Sequence, residues 1–258
     1  MRFRVSRLAA ATAFASLAAL AAGCGQDGVV LPDNGGGDVG ECGAWYPSGI
    51  DSDDGDAGIA EFGSNLGETL PCFVWESVRS GAQEGGADPS TYANAYLSMG
   101  ELFLKSKSPG MSALLEAQFG VTEAKIILFA IAAENCGTCY RLMEGVTASK
   151  EELLAAGVIP IGVASFDSSN YDTAAMDLVA ADDVMIGDGL DAALYRANDP
   201  EHYLGDRASF EGFPYLIAVR VPDMTVAIRA YPDSYYNGTG DAIDVAKLVA
   251  DVEAFVAE

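Results

Sequence analysis

Residues 124–139 read AKIILFAIAAENCGTC, and this stretch decides the fold. Its first ten residues form an apolar run interrupted only by Lys125. A run of that length, rich in Ile and bounded by polar residues, is the pattern of a central strand buried on both faces. It leads into Cys136-Gly137-Thr138-Cys139, two thiols three positions apart, and the pattern predicts a helix over residues 138–145. A thiol at a helix N-terminus meets backbone N–H groups without partners and the positive end of the helix dipole. Both favour thiolate, which makes Cys136 the expected nucleophile. Cys139 lies within reach to resolve a mixed disulfide.

Downstream, Ser149 and Glu152 fit a capping box and predict a second helix to about residue 156, with Gly157 as its stop. Residues 158–166 (VIPIGVASF) read as a second buried strand, closing a βαβ unit. Residues 172–181 and 190–197 read as helices. Residues 214–221 (PYLIAVRV) and 225–230 (TVAIRA) read as strands, joined by Pro222-Asp223-Met224 in an antiparallel hairpin. Residues 241–258 read as an amphipathic helix, with Val245, Leu248, Val249, Val252 and Val256 on one face. Tyr231, Tyr235 and Tyr236 beside Asn237-Gly238 read as aromatics packing at a turn. The fold class is α/β, and no internal repeat is evident.

Upstream, the chain begins with an address. Arg2, Arg4 and Arg7 precede an uncharged apolar run over residues 8–22, and Ala21, Ala22 and Gly23 then lead to Cys24. The run is shorter than the ~20 residues of a membrane span, so it reads as an export signal over residues 1–23. A cysteine directly after small residues resembles a bacterial lipoprotein box, which implies that Cys24 carries lipid. Gly25 and Gln26 follow Cys24 where an inner-membrane retention signal would have Asp, so the enteric sorting rule implies the outer membrane, facing the periplasm or the cell surface. Residues 24–64 then form the anchor and a Gly/Asp-rich tether, and residues 65–258 the folded domain. Asp51 to Gly58 (DSDDGDAG) superficially matches a calcium loop, but Phe62 stands where the twelfth ligand belongs, so it reads as a solvated acidic loop.

Composition narrows the function classes. The 258 residues are 50% hydrophobic, with 11 Phe, 11 Tyr and 2 Trp, enough for a packed core. Lys plus Arg number 14 against 38 Asp plus Glu, a net charge of −24. A body this acidic is repelled by phosphate backbones, which excludes nucleic acid as a partner. The single histidine, His202, lies in a polar stretch, so multi-histidine metal sites are excluded. No Gly-rich phosphate loop stands between a strand and a helix. Of five cysteines, four remain if Cys24 is lipidated. Cys136 and Cys139 form one pair, leaving Cys42 and Cys72 as partners in a structural disulfide. Closing a loop of about 30 residues, that bridge would add roughly 3–4 kcal/mol on the chain-entropy account. A zinc site from all four thiols is not expected, because the second pair lacks the Cys-x-x-Cys spacing.

The run AENCGTC, over residues 133–139, resembles the active-site segment of the thioredoxin superfamily. Glu211-Gly212-Phe213-Pro214 resembles that family's Gly-x-Pro segment, which implies a cis Pro214 beside the disulfide, with Phe213 and Pro214 holding the substrate chain. Gly67-Glu68-Thr69-Leu70-Pro71-Cys72-Phe73 is similar to the opening of the exported TlpA-like and redoxin branch, which adds a small N-terminal hairpin. The resemblance therefore implies a thioredoxin-like fold with an N-terminal extension. It also implies an insertion, over about residues 165–210, between the Cys-x-x-Cys unit and the cis-Pro hairpin. The activity it implies is thiol–disulfide exchange with proteins, needing no cofactor but requiring a redox partner to recycle Cys136 and Cys139.

The sequence departs from the family pattern at three points. Ala130 stands where thioredoxin has a buried acid, Asn135 replaces the usual Trp, and the central dipeptide is Gly-Thr. Glu134 is adjacent and reads as a solvated surface residue. A peroxiredoxin is excluded, because Ala133 stands where that family needs Thr or Ser and no proline lies between Pro109 and Cys136. A copper chaperone is excluded by a spacing one residue too short. Two readings stay open: a thiol–disulfide oxidoreductase, or a redox-inactive binding or scaffold lipoprotein in which Cys136–Cys139 is structural.

Overall fold

The computed structural model describes residues 47, 64–78, 95–108, 110–133, 136–166, 185, 187–191, 194–198, 204 and 212–255. The export signal, Cys24, Cys42, the tether apart from residues 47 and 64, Glu134, Asn135, the helix over residues 172–181 and His202 lie outside the described residues. In chain order the elements are β1 (Val74–Val78), β2 (Ala95–Ser98), α1 (Met99–Lys107), α2 (Ser112–Phe119), β3 (Ile126–Ala133), α3 (Cys139–Ala148), α4 (Lys150–Ala155), β4 (Val158–Phe166), β5 (Tyr195–Asn198), β6 (Tyr215–Arg220), β7 (Thr225–Ala230) and α5 (Val245–Ala254).

The strands form one sheet in the order β2-β1-β5-β4-β3-β6-β7. β3 pairs in parallel with β4, Ile126 opposite Val158, and antiparallel with β6, Ile131 opposite Tyr215. Alternation along β3 sends Ile127, Phe129 and Ile131 into one core and Ile126, Leu128, Ala130 and Ala132 into another. The first core contains Leu102 and Phe103 of α1 and Leu115 of α2; the second contains residues of α3, α4 and α5. Both faces of β3 are covered, which is why its sequence is a continuous apolar run. The parallel βαβ unit, the antiparallel β6–β7 hairpin and the terminal helix make the fold thioredoxin-like, as the motifs implied. β1 and β2 pair antiparallel at the far edge. Among the described residues no helix is long and apolar enough to cross a membrane.

Gly157 stops α4 as expected. Its φ is +79°, and a Cβ there would stand 2.7 Å from the Glu123 carbonyl oxygen, so only glycine fits without displacement. The terminal helix begins at Val245, capped by the Asp244 carboxylate on the Lys247 N–H at 2.9 Å. Val245, Leu248 and Val252 are buried, Val249 packs at the core margin, and Val256 lies outside the described residues.

Two local expectations are corrected. The described residues of 190–197 form no helix: residues 195–198 form β5, parallel to β4 and antiparallel to β1. Leu, Ala and Arg favour helix, but a slot between two strands satisfies this backbone from both sides, and tertiary pairing overrides propensity. Leu190 packs against Gly162 of β4, where a Cβ would stand 2.4 Å from its Cδ2. The second correction concerns Ser149, which makes no cap bond to α4. Its buried hydroxyl instead accepts from the Ile243 N–H at 2.7 Å and donates to the Ile243 carbonyl at 3.2 Å. This ties the α3–α4 junction to the segment leading into α5.

The β6–β7 turn is held by charge. Arg220 donates from Nε and Nη2 to the Asp223 carboxylate at 2.6–3.0 Å, and the Thr225 N–H donates to it at 3.2 Å. Met224 adopts φ +54°, an uncommon conformation for a side-chain-bearing residue, and its side chain is fully buried in the first core. Burial pushes the Asp223 carboxyl up, but the hydrogen bonds from Arg220 and Thr225 outweigh it and hold the group below the usual carboxylate range.

Two measurements check this account. Ser149→Ala leaves a buried N–H and a buried carbonyl unpaired, at about 1–3 kcal/mol per unsatisfied group. A loss of about 2 kcal/mol in urea unfolding with unchanged m-value is expected, and a loss under about 0.5 kcal/mol contradicts the assignment. A depressed folded pKa contributes stability above the unfolded value that is lost as pH falls through the folded one. Asp223→Asn should therefore be less stable than wild type at neutral pH, with the gap closing as pH falls below about 4.

Candidate active site

β3 ends at Ala133, and the chain re-emerges at Cys136 to begin a turn in which the Cys139 N–H donates to the Cys136 carbonyl at 3.1 Å. α3 starts at Cys139. Its buried face, Cys139, Leu142, Met143 and Val146, packs on the β3 face that carries Ala130 and Ala132. That burial orients the helix and fixes its N-terminus at the C-terminal end of β3.

Cys136 and Cys139 are joined as a disulfide, with Cα atoms 5.4 Å apart. The two sulfurs lie in different environments. Cys139 is 0% exposed, whereas Cys136 is half-buried and sits at the surface between the exposed Gly137 and Thr138 and the margin of the core. Tyr140 stands beside them, 50% exposed. Cys136 thus keeps partial solvent exposure, while Cys139 has none and packs into the second core.

Phe213 and Pro214 arrive from the other end of the domain. Because β6 runs antiparallel to β3 with Tyr215 opposite Ile131, the residues just before β6 lie beside the segment leaving β3. The Phe213–Pro214 peptide is cis. Pro214 is buried, and Phe213 is half-buried against both cores. The Thr138 hydroxyl donates to the Phe213 carbonyl at 3.4 Å across 75 positions of sequence, and lies 3.7 Å from the Cys136 sulfur. Tyr231 makes an edge contact with Tyr215 at 5.2 Å and lies beside Gly212, so it packs next to this segment. Tyr235 and Tyr236 pack elsewhere: Tyr235 under Lys247 at 4.6 Å, Tyr236 under Arg141 at 4.4 Å. Burial pushes both of their hydroxyls up to about 12.

Beneath the disulfide, Ala130 is fully buried, with Gly162 and Leu216 beside it on the neighbouring strands. These three positions supply no carboxylate. One carboxyl missed by the sequence reading is Asp188, whose Oδ2 is buried without a hydrogen bond and whose pKa is raised by that burial. Its loop is tied to α3 through the Thr147 hydroxyl, which donates to the Gly189 carbonyl at 3.0 Å. Among the described residues no group of three or more His, Cys, Asp and Glu could hold a metal ion. Cys72 has no disulfide partner among the described residues; it is half-buried where the chain leads into β1 and packs on the first core. Its expected partner in a structural disulfide, Cys42, lies outside the described residues.

No family model matches this chain, and no curated protein matches it. Solved structures similar to it include a conserved protein from Geobacillus kaustophilus (12% identity, 74% of this chain and 82% of that chain covered, TM-score 0.47). Another is the thioredoxin domain of a thiol–disulfide oxidoreductase from Bacteroides vulgatus (13% identity, 72% and 98% covered, TM-score 0.41). A third is a secreted disulfide oxidoreductase of Mycobacterium tuberculosis, homologous to E. coli DsbE (15% identity, 50% and 81% covered, TM-score 0.33). At identities and TM-scores this low, what the site does follows from its own residues.

The unequal burial of the two sulfurs has a direct consequence. In the reduced, folded protein, iodoacetamide should modify Cys136 at least about tenfold faster than Cys139, read by peptide mass mapping. Equal rates in the folded state would contradict the placement of Cys139 in the core.

Proposed function

We propose that this chain is an exported, lipid-anchored thiol–disulfide oxidoreductase that exchanges disulfides with proteins through Cys136 and Cys139. One observation carries the reading: a disulfide at the start of a helix has one sulfur at the surface and one in the core, beside the Phe213–Pro214 segment. In the reduced form, the N-terminus of α3 favours the Cys136 thiolate. That thiolate attacks one sulfur of a substrate disulfide and forms a mixed disulfide. The second substrate sulfur leaves as a thiolate and takes a proton from water.

Cys139 then loses its proton and attacks the Cys136 sulfur. The Cys136–Cys139 bond re-forms and the remaining substrate sulfur departs, so two electrons have passed to the substrate. Run in reverse, the same steps oxidise a dithiol. A redox partner returns the pair to its starting state. Phe213 and Pro214 line the approach to Cys136 and hold the substrate segment. With Ala130 offering no carboxylate, the Cys139 proton goes to water, and resolution is the slow step. Lipid on Cys24 places the domain in the bacterial cell envelope, at the outer membrane, in an oxidising compartment that keeps such pairs in use.

The absence of an acid at Ala130 favours a second reading, a binding or scaffold lipoprotein with a purely structural Cys136–Cys139 bond. The reduction potential separates the two. Equilibrated with glutathione buffers and mapped by alkylation, an exchange-active pair falls between about −120 and −270 mV. A pair still oxidised below about −300 mV sinks the enzymatic reading. Cys139→Ser should accumulate mixed disulfides with partner proteins, whereas Cys136→Ser should trap none.

A further inference from the structure

We propose that Thr138 is a redox-linked positioning residue whose hydroxyl donates its hydrogen bond to the Phe213 carbonyl in the oxidised protein and to the Cys136 thiolate in the reduced one. This rests on Cys136–Cys139 being an exchange-active pair.

Thr138 occupies the N-cap of α3, where a threonine hydroxyl ordinarily accepts a bond from a backbone N–H of the first turn. Here it makes no such bond. The hydroxyl is turned instead toward the site, donating to the Phe213 carbonyl at 3.4 Å with the Cys136 sulfur 3.7 Å away. A hydroxyl carries one hydrogen, so it donates fully to only one of these acceptors. In the oxidised protein the choice is between a carbonyl oxygen and a disulfide sulfur, and the carbonyl is the better acceptor.

Reduction inverts that order. A dithiol such as dithiothreitol breaks the Cys136–Cys139 bond and is itself oxidised to its cyclic disulfide. Two electrons and two protons arrive at the pair, and Cys136 then loses its proton to water. A thiolate is a charged acceptor, and hydrogen bonds to charged groups are roughly twice as strong as neutral ones. Both acceptors already flank the oxygen, so rotation about the threonine C–O bond redirects the proton without backbone movement. Two effects follow: the Cys136 thiolate gains a donor that the helix N-terminus alone does not supply, and the Phe213–Pro214 segment loses its tie to the Cys-x-x-Cys turn when the site is reduced.

The test compares the wild-type chain with Thr138→Val and Thr138→Ser. The pH profile of Cys136 alkylation, resolved from the other thiols by peptide mapping, reads the first effect. Thr138→Val should raise the Cys136 pKa by about one unit, a tenfold loss of thiolate at pH values below both pKa values. Thr138→Ser should titrate like wild type. The second effect is read by NMR, since Phe213–Pro214 is the only Phe-Pro pair in the chain. Carbonyl-¹³C phenylalanine with ¹⁵N proline therefore isolates the Phe213 carbonyl. Its shift should move on reduction in wild type and Thr138→Ser, and stay near the reduced wild-type position in both states of Thr138→Val. An unchanged Cys136 pKa in Thr138→Val, a serine variant that behaves like the valine one, or an equal carbonyl response in all three overturns the role of Thr138. If wild type meanwhile exchanges with dithiothreitol, the oxidoreductase reading stands. A wild-type pair inert to exchange overturns both.

Discussion

The site depends on the antiparallel pairing of β3 with β6. With Ile131 opposite Tyr215, the start of β6 lies at the end of β3, and Phe213–Pro214 meets the Cys136–Cys139 turn. Burial on both faces pins that register. Phe129 and Ile131 fill one core while Leu128 and Ala130 fill the other. A slip of one residue would exchange the two sets, placing large side chains where α3 needs small ones. The placement of the sulfurs is therefore a consequence of core packing, set before any property of the cysteines matters.

From that placement comes the asymmetry of the disulfide. α3 buries Cys139 with Leu142, Met143 and Val146, and the turn before the helix leaves Cys136 at the surface. The start of the helix carries one partly exposed cysteine, while Ala130, on the β3 face that α3 covers, is buried and apolar. The Thr138 hydroxyl stands 3.7 Å from the Cys136 sulfur while it donates to the Phe213 carbonyl.

Where local signals misled, the cause was the same in both cases: a distant partner outcompeted a neighbour. Residues 190–197 have the composition of a helix, yet residues 195–198 pair with β1 and β4 at once. Ser149 and Glu152 have capping-box spacing, yet the serine hydroxyl spends both its donor and its acceptor on Ile243, 94 positions away. The Arg220–Asp223 pair belongs to the opposite class, because both partners sit in one short turn and the interaction follows from the turn itself.

The central strand, the Cys-x-x-Cys helix start, the β6–β7 hairpin and the terminal helix were all legible from the order of residues. Each of these is written in neighbouring residues, as a continuous apolar run, a spacing of three, or a helical period of valines and leucine. Tertiary packing set which cysteine keeps solvent exposure, that β5 is a strand, and that Thr138 turns toward Phe213 instead of capping its own helix. The last two depend on strands that no local pattern pairs and on a group brought in from 75 positions away. Short-range periodicity carries no record of such contacts, because burial and hydrogen-bond satisfaction select them only once the sheet has closed.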